Sequence, residues 1–131
     1  MKDGLAPGQS YEKTHATAPE MGIKHLGPGV PSVLSTPAMI GLMEGTCVEF
    51  LTPYMGEGEQ TVGFHVDVRH TAPTVIGQKV TVKVTLQEVK ETRFRLNPNH
   101  KKSFCGLFLF RRRESVFIGG FLSKYVLAPG Q

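Results

Sequence analysis

The stretch Ser35–Tyr54, STPAMIGLMEGTCVEFLTPY, leaves this chain the fewest choices of fold. Met39, Ile40, Met43, Cys47, Phe50 and Leu51 recur at spacings of three and four, which predicts one long helix with an oily face. Thr36 suits the N-cap and Pro37 the first helical position. Pro53, followed by Gly56 and Gly58, ends the helix. Gly41 and Gly45 thin out one flank. Each costs roughly 1 kcal/mol relative to Ala in mid-helix, and close approach of a strand or ligand would compensate. Glu44 breaks the apolar pattern. A carboxylate there is unfavourable unless it is paired or used.

A helix of this kind needs an apolar surface to cover it, and the sequence supplies strands. Ser10–Ala18 alternates weakly. Residues 21–34, with Gly22, Gly27, Pro28, Gly29 and Pro31, read as a loop. Gln60–His70 alternates clearly, with Val62, Phe64, Val66, Val68 and His70 on one face and Gly63, His65, Asp67 and Arg69 on the other. Lys79–Val89 repeats the pattern through Val80, Val82, Val84 and Leu86. With Gly77 marking the turn, these two strands are expected to pair antiparallel. Further strand signals follow at Thr92–Leu96, Phe104–Phe110 and Val116–Leu127, broken by Asn97-Pro98-Asn99. The order implies an α+β fold, one long helix wrapped by a curved antiparallel sheet. A sheet with a single helix leaves a face or an edge open, so dimerisation is expected.

With 131 residues there is room for one domain with a real core. No run approaches the ~18 apolar residues of a membrane span, and the N-terminus has no apolar signal core. Cys47 and Cys105 stand far apart without a Cys-rich framework, as expected of reduced thiols in the cytoplasm. Charge is uneven. Residues 1–89 carry 6 Lys/Arg against 9 Asp/Glu, while residues 90–131 carry 9 against 2. The basic third is open to several readings: a solvated face, or a surface for phosphates, acidic lipid or nucleic acid. The interleaving of Lys101, Lys102 and Arg111–Arg113 with Phe104, Phe108 and Phe110 suits base stacking, but no nucleic-acid-binding fold accompanies it.

Three polar side chains stand where a core is expected: Thr36, Glu44 and His70. Thr36 and Glu44 are eight residues apart, about 12 Å along the axis on a shared helix face. His70 closes a strand expected to pack on that helix. A carboxylate with an imidazole can activate water or polarise a carbonyl, and a helix N-terminus offers N–H groups to an oxygen gaining charge. Each residue also has an ordinary reading: Thr36 as a cap, Glu44 on an exposed flank, His70 as a structural histidine. No His/Cys cluster has metal-ligand spacing, and His65 and His70 fall on opposite strand faces, so no metal is expected.

The run Val33–Glu44, VLSTPAMIGLME, followed by Val66–Thr74, VDVRHTAPT, and Gly77, resembles the hotdog-fold acyl-CoA thioesterases of the fluoroacetyl-CoA thioesterase type. The likeness covers roughly residues 28–90 and includes Thr36, Glu44 and His70, with Gly63 seven residues before the His. It implies that residues 1–131 form a single hotdog domain. It also implies a homodimer or dimer of dimers with sites at the dimer interface. The implied reaction is hydrolysis of a small acyl-CoA to acid and free coenzyme A. No cofactor is needed beyond the coenzyme A of the substrate, and neither nucleic acid nor membrane is a partner. By the same resemblance Thr36 and Glu44 position and polarise the thioester or its attacking water, and His70 is general base or orienter. Gly63 leaves room beside the acyl group, with Val30 and Lys124 as further substrate contacts. Two features depart from the family. The loop before the helix reads Gly27-Pro28-Gly29-Val30 where the family carries Phe residues of a lid, so no selectivity for a fluorinated acyl group is expected. Residues 97–117 are atypical, and Ile118–Lys124 lacks the His and Arg of the family's last strand. The alternative is a weakly active or non-catalytic acyl-CoA-binding hotdog protein.

Overall fold

The sheet is built on Lys79–Lys90 (β3), whose Val80, Val82, Val84 and Leu86 are completely buried, as their alternation predicts. The structure is a computed structural model that describes residues 2–23, 25–68, 70, 72–90, 93–96, 104–111 and 124–127. Along one edge β3 pairs antiparallel with Ser10–Ala16 (β1). Along the other it pairs with Lys124–Leu127 (β6) and, further on, with Arg93–Leu96 (β4). Phe104–Arg111 (β5) joins β4 to Glu59–Asp67 (β2), which ends the sheet.

The helix runs Thr36–Leu51 (α1) and continues as a 3₁₀ turn at Thr52–Tyr54 around Pro53. Met39, Met43, Cys47, Phe50 and Leu51 are buried against β3, Leu34 and Phe94. Apolar surface buried this way contributes about 1.5–3 kcal/mol per large side chain, enough to offset two mid-helix glycines. Among the described residues those glycines meet no close approach: a Cβ at Gly41 or Gly45 would find nothing within 4 Å.

Two expectations about the sheet are corrected. The strands after the helix, β2 and β3, do not pair with each other; β4 and β5 lie between them. Pro73 has no N–H to give a ladder, and the connection instead bonds to the segment before the helix. Leu34 N–H donates to Thr74 O at 2.7 Å, Ile76 N–H donates to Ser32 O at 2.9 Å, and Val33 bridges Val75. The second correction lies inside β2. Its register shifts between Gly63, opposite Leu107, and His65, opposite Gly106. Such a bulge adds one residue and reverses which face the alternation selects. Before it Thr61 is buried and Val62 exposed; after it Val66 and Val68 face the core. The single apolar row Val62–His70 is therefore two half-rows of opposite parity.

The atypical stretch 97–117 still supplies a strand, because β5 falls within it. Residues 97–103 and 112–123, which hold the Asn-Pro-Asn break, two lysines and most of the Ile118–Lys124 segment, lie outside the described residues.

Candidate active site

Two local devices place the polar side chains, one pairing Thr36 with His70 and the other setting Glu44 against Gly63. The first is the bridge between residues 32–34 and 74–76, which holds the start of α1 beside the end of β2. Across that junction Thr36 Oγ1 and His70 Nδ1 lie 2.9 Å apart, in hydrogen-bond contact. The second is the bulge in β2. By simple alternation Gly63 and His70 have opposite parity and would face opposite sides. The extra residue lets both turn toward the helix. The space where a Cβ would stand on Gly63 is filled by the Glu44 carboxylate, whose Cδ and Oε1 would each be 2.9 Å from it. Gly63 thus makes room for Glu44 itself, where the resemblance implied room for the acyl group.

The helix cap differs from expectation in a way that matters. Ser35, not Thr36, is the N-cap: its Oγ accepts from Ala38 N–H at 3.2 Å, with Pro37 one place further into the helix than expected. Either hydroxyl satisfies the cap chemistry. With Ser35 in that role, the Thr36 hydroxyl has no backbone partner among the described residues and meets His70. The same arrangement thins the N–H groups at the helix start. Pro37 has none, Ala38's goes to Ser35 Oγ, and Met39's goes to Ser35 O at 3.0 Å. Among the described residues, that leaves the N–H of Thr36 as the helix-end donor available to an oxygen beside the site.

Glu44 is half-buried, between the core and the exposed flank that the sequence left open to it, and His70 is half-buried too; Thr36 is exposed. A carboxylate with partial access to water keeps its charge at lower cost than one sealed in the core, which suits a group that must meet a ligand. Thr36 and His70 are joined by a hydrogen bond, while Glu44 is placed by Gly63. Val30 stands 53% exposed in the loop ahead of α1, in a turn closed by its own N–H donating to Gly27 O at 3.3 Å. Lys124 opens β6 with its backbone opposite Val84.

A second imidazole meets α1 further along, and the sequence pattern did not single it out. His15 on β1 places Nε2 2.9 Å from Thr46 Oγ1, and Thr46 Oγ1 donates to Leu42 O at 2.7 Å. Burial, and secondarily the charge of Lys13, hold the His15 pKa below its ordinary value, with Glu49 opposing. The inward position of Thr46 in the apolar stripe was the available signal. Lys13 pairs with Glu49 at 2.7 Å on the exposed flank. Among the described residues no group of three or more His, Cys, Asp or Glu is gathered as a metal would require.

Known proteins resemble this chain in both sequence and fold. The family described as fluoroacetyl-CoA-specific thioesterase (FlK) matches residues 17–102. A fluoroacetyl-CoA thioesterase of Streptantibioticus cattleyicolor is 36% identical over 99 residues, covering 71% of this chain and 71% of that protein. The crystal structure of a phenylalanine-to-alanine variant of FlK superposes with a TM-score of 0.72 at 29% identity, covering 84% of this chain and 91% of the other. The same variant in complex with fluoroacetate and CoA gives 0.67 at 27% identity, over 82% and 97% of the two chains. On the extent of the family match, the identity of the relative and the shared architecture, this chain belongs to the fluoroacetyl-CoA-specific thioesterase (FlK) family of hotdog-fold thioesterases.

Proposed function

We propose that this chain hydrolyses a small acyl-CoA to the carboxylic acid and free coenzyme A, using Thr36, Glu44 and His70. The observation that carries the reading is the pairing of Thr36 Oγ1 with His70 Nδ1 at 2.9 Å, at one end of the α1–β2 contact along which the Glu44 carboxylate rests against Gly63. Water adds to the thioester carbonyl carbon, the C–S bond breaks, and the departing sulfur takes a proton. Glu44 is the group to accept the proton of the attacking water, or to attack the carbonyl itself, and both routes end in the same products. His70 has two useful states. When Thr36 donates to Nδ1, Nε2 carries hydrogen for the carbonyl oxygen or the leaving thiolate; when Nδ1–H donates to Thr36, Nε2 is a base. The Thr36 N–H adds a fixed donor for the carbonyl oxygen.

The coenzyme A arrives as part of the substrate and no other cofactor is required. Two copies join along β2, the terminal strand of the sheet, which pairs with β5 alone among the described strands and presents a partly exposed Val62. The site is completed at that interface, with Val30 and Lys124 as contacts for the substrate, in the cytoplasm. The Gly27–Val30 turn carries no aromatic side chain, so acetyl-CoA and fluoroacetyl-CoA are expected to be turned over within about tenfold of each other, a difference of about 1.4 kcal/mol.

The test is steady-state release of free thiol from acetyl-CoA and longer acyl-CoAs. Glu44→Ala and His70→Ala should each lower kcat by about 10³-fold, within the range of general acid–base catalysis. Parent-like hydrolysis by both variants would remove these residues from the site.

A further inference from the structure

Resting on that reading, the geometry points to His15 and Thr46 as positioning residues for Glu44: they fix the rotation of the helical turn Leu42–Thr46, so that the carboxylate stays over Gly63. Apolar packing holds α1 against the sheet, but it is non-directional. Side-chain bonds give direction to the contact between α1 and the strands and their connections. Thr36 to His70 lies at the first turn, Lys13 to Glu49 lies on the exposed flank, and His15 to Thr46 lies on the turn that carries Glu44. Thr46 is completely buried. It faces β1, two residues and about 200° around the helix from the side chain that faces β2. The turn is thus held from one side by a hydrogen bond and rests on the other against a glycine.

The bonding in this node is determined by counting protons. The Thr46 hydroxyl has one, and it goes to Leu42 O at 2.7 Å. Thr46 Oγ1 therefore accepts from His15, and His15 carries hydrogen on Nε2. A neutral imidazole in that tautomer donates, and so does an imidazolium, so the tether does not depend on the charge of His15. With side-chain tips about 5–6 Å from the helix axis, a rotation of roughly 10° moves them by about 1 Å, a displacement that costs up to about 10²-fold in rate at a reacting centre.

The experiment is steady-state acyl-CoA hydrolysis by Thr46→Val, Thr46→Ser, His15→Phe and His15→Gln, with thermal unfolding of each. Thr46→Val and His15→Phe should lower kcat about tenfold with KM unchanged. Thr46→Ser, which keeps the hydroxyl, and His15→Gln, whose amide N–H reaches a similar position, should restore it. Combining Thr46→Val with Glu44→Ala closes a double-mutant cycle. In that background Thr46→Val should have no further effect, because there is no carboxylate left to position. The inference is overturned if Thr46→Val turns over like the parent, if the Gln variant is as slow as the Phe variant, or if the effects of Thr46→Val and Glu44→Ala multiply. Should Thr46→Val fail to fold, the contrast between His15→Phe and His15→Gln decides. Parent-like turnover by Glu44→Ala would instead sink the proposed site, whatever Thr46 does.

Discussion

Among the described residues, two hydroxyl–imidazole pairs connect α1 to its surroundings, both at 2.9 Å, and their protons are placed differently. In the pair His15–Thr46 every proton has an assigned place. The threonine is fully buried, its hydroxyl donates to the helix backbone, and the histidine can only donate. In the pair Thr36–His70 the threonine is exposed, the serine before it has taken over the cap, and the proton between oxygen and nitrogen can lie on either side. The lesson is that residue type does not make a site. A hydroxyl with a backbone obligation has its proton fixed, and one released from it can share a proton with a neighbouring imidazole in either direction.

The comparison sharpens most by disturbing Glu44 while leaving both pairs intact. Gly63→Ala introduces a Cβ that would lie 2.9 Å from the carboxylate carbon. The carboxylate must move by some tenths of an ångström or more, and kcat should fall by about 10²-fold with little change in melting temperature. A fully active alanine variant would mean that the position of Glu44 over β2 has no bearing on turnover. The next effect is expected on the open pair. Thr36→Val should lower kcat by roughly 30-fold, equivalent to about 2 kcal/mol for a hydrogen-bonding partner removed from a half-buried group, while Thr36→Ser stays near the parent. If valine and serine behave alike, the hydroxyl is dispensable and His70 works alone.

The smallest effect belongs to the closed pair and is read as stability against pH. Folding holds the His15 pKa below 6.5, chiefly through burial. The unfolded chain therefore binds the proton first as pH falls, and stability is lost as pH drops through 6.5 toward the lower folded value. Between pH 7.5 and 5.5 the melting temperature of His15→Gln should fall less than that of the parent. Equal slopes would mean that His15 titrates freely in the fold. The neighbouring Lys13–Glu49 pair lies outside this window, because its hydrogen bond lowers the Glu49 pKa and raises that of Lys13.

The helix and the buried row of β3 were legible in the sequence, because each depends on residues within a few positions of one another. Met39, Met43, Cys47 and Phe50 select a helix face by spacing alone, and Val80 to Leu86 select a strand face. The choice between Ser35 and Thr36 as cap was not legible. Adjacent hydroxyls satisfy the same N–H groups, and the decision rests on a histidine 34 residues away. The bulge was signalled only by a glycine inside a strand. Its consequence, Gly63 and His70 on one side, appears once β5 sets the register. Strand order and the His15–Thr46 bond are likewise tertiary decisions. A strand's own residues fix which face is apolar, but its neighbours are settled by competition among all the free edges of the chain. Local periodicity therefore determined what this protein's elements are and which residues could be chemical, and long-range pairing decided which of them meet.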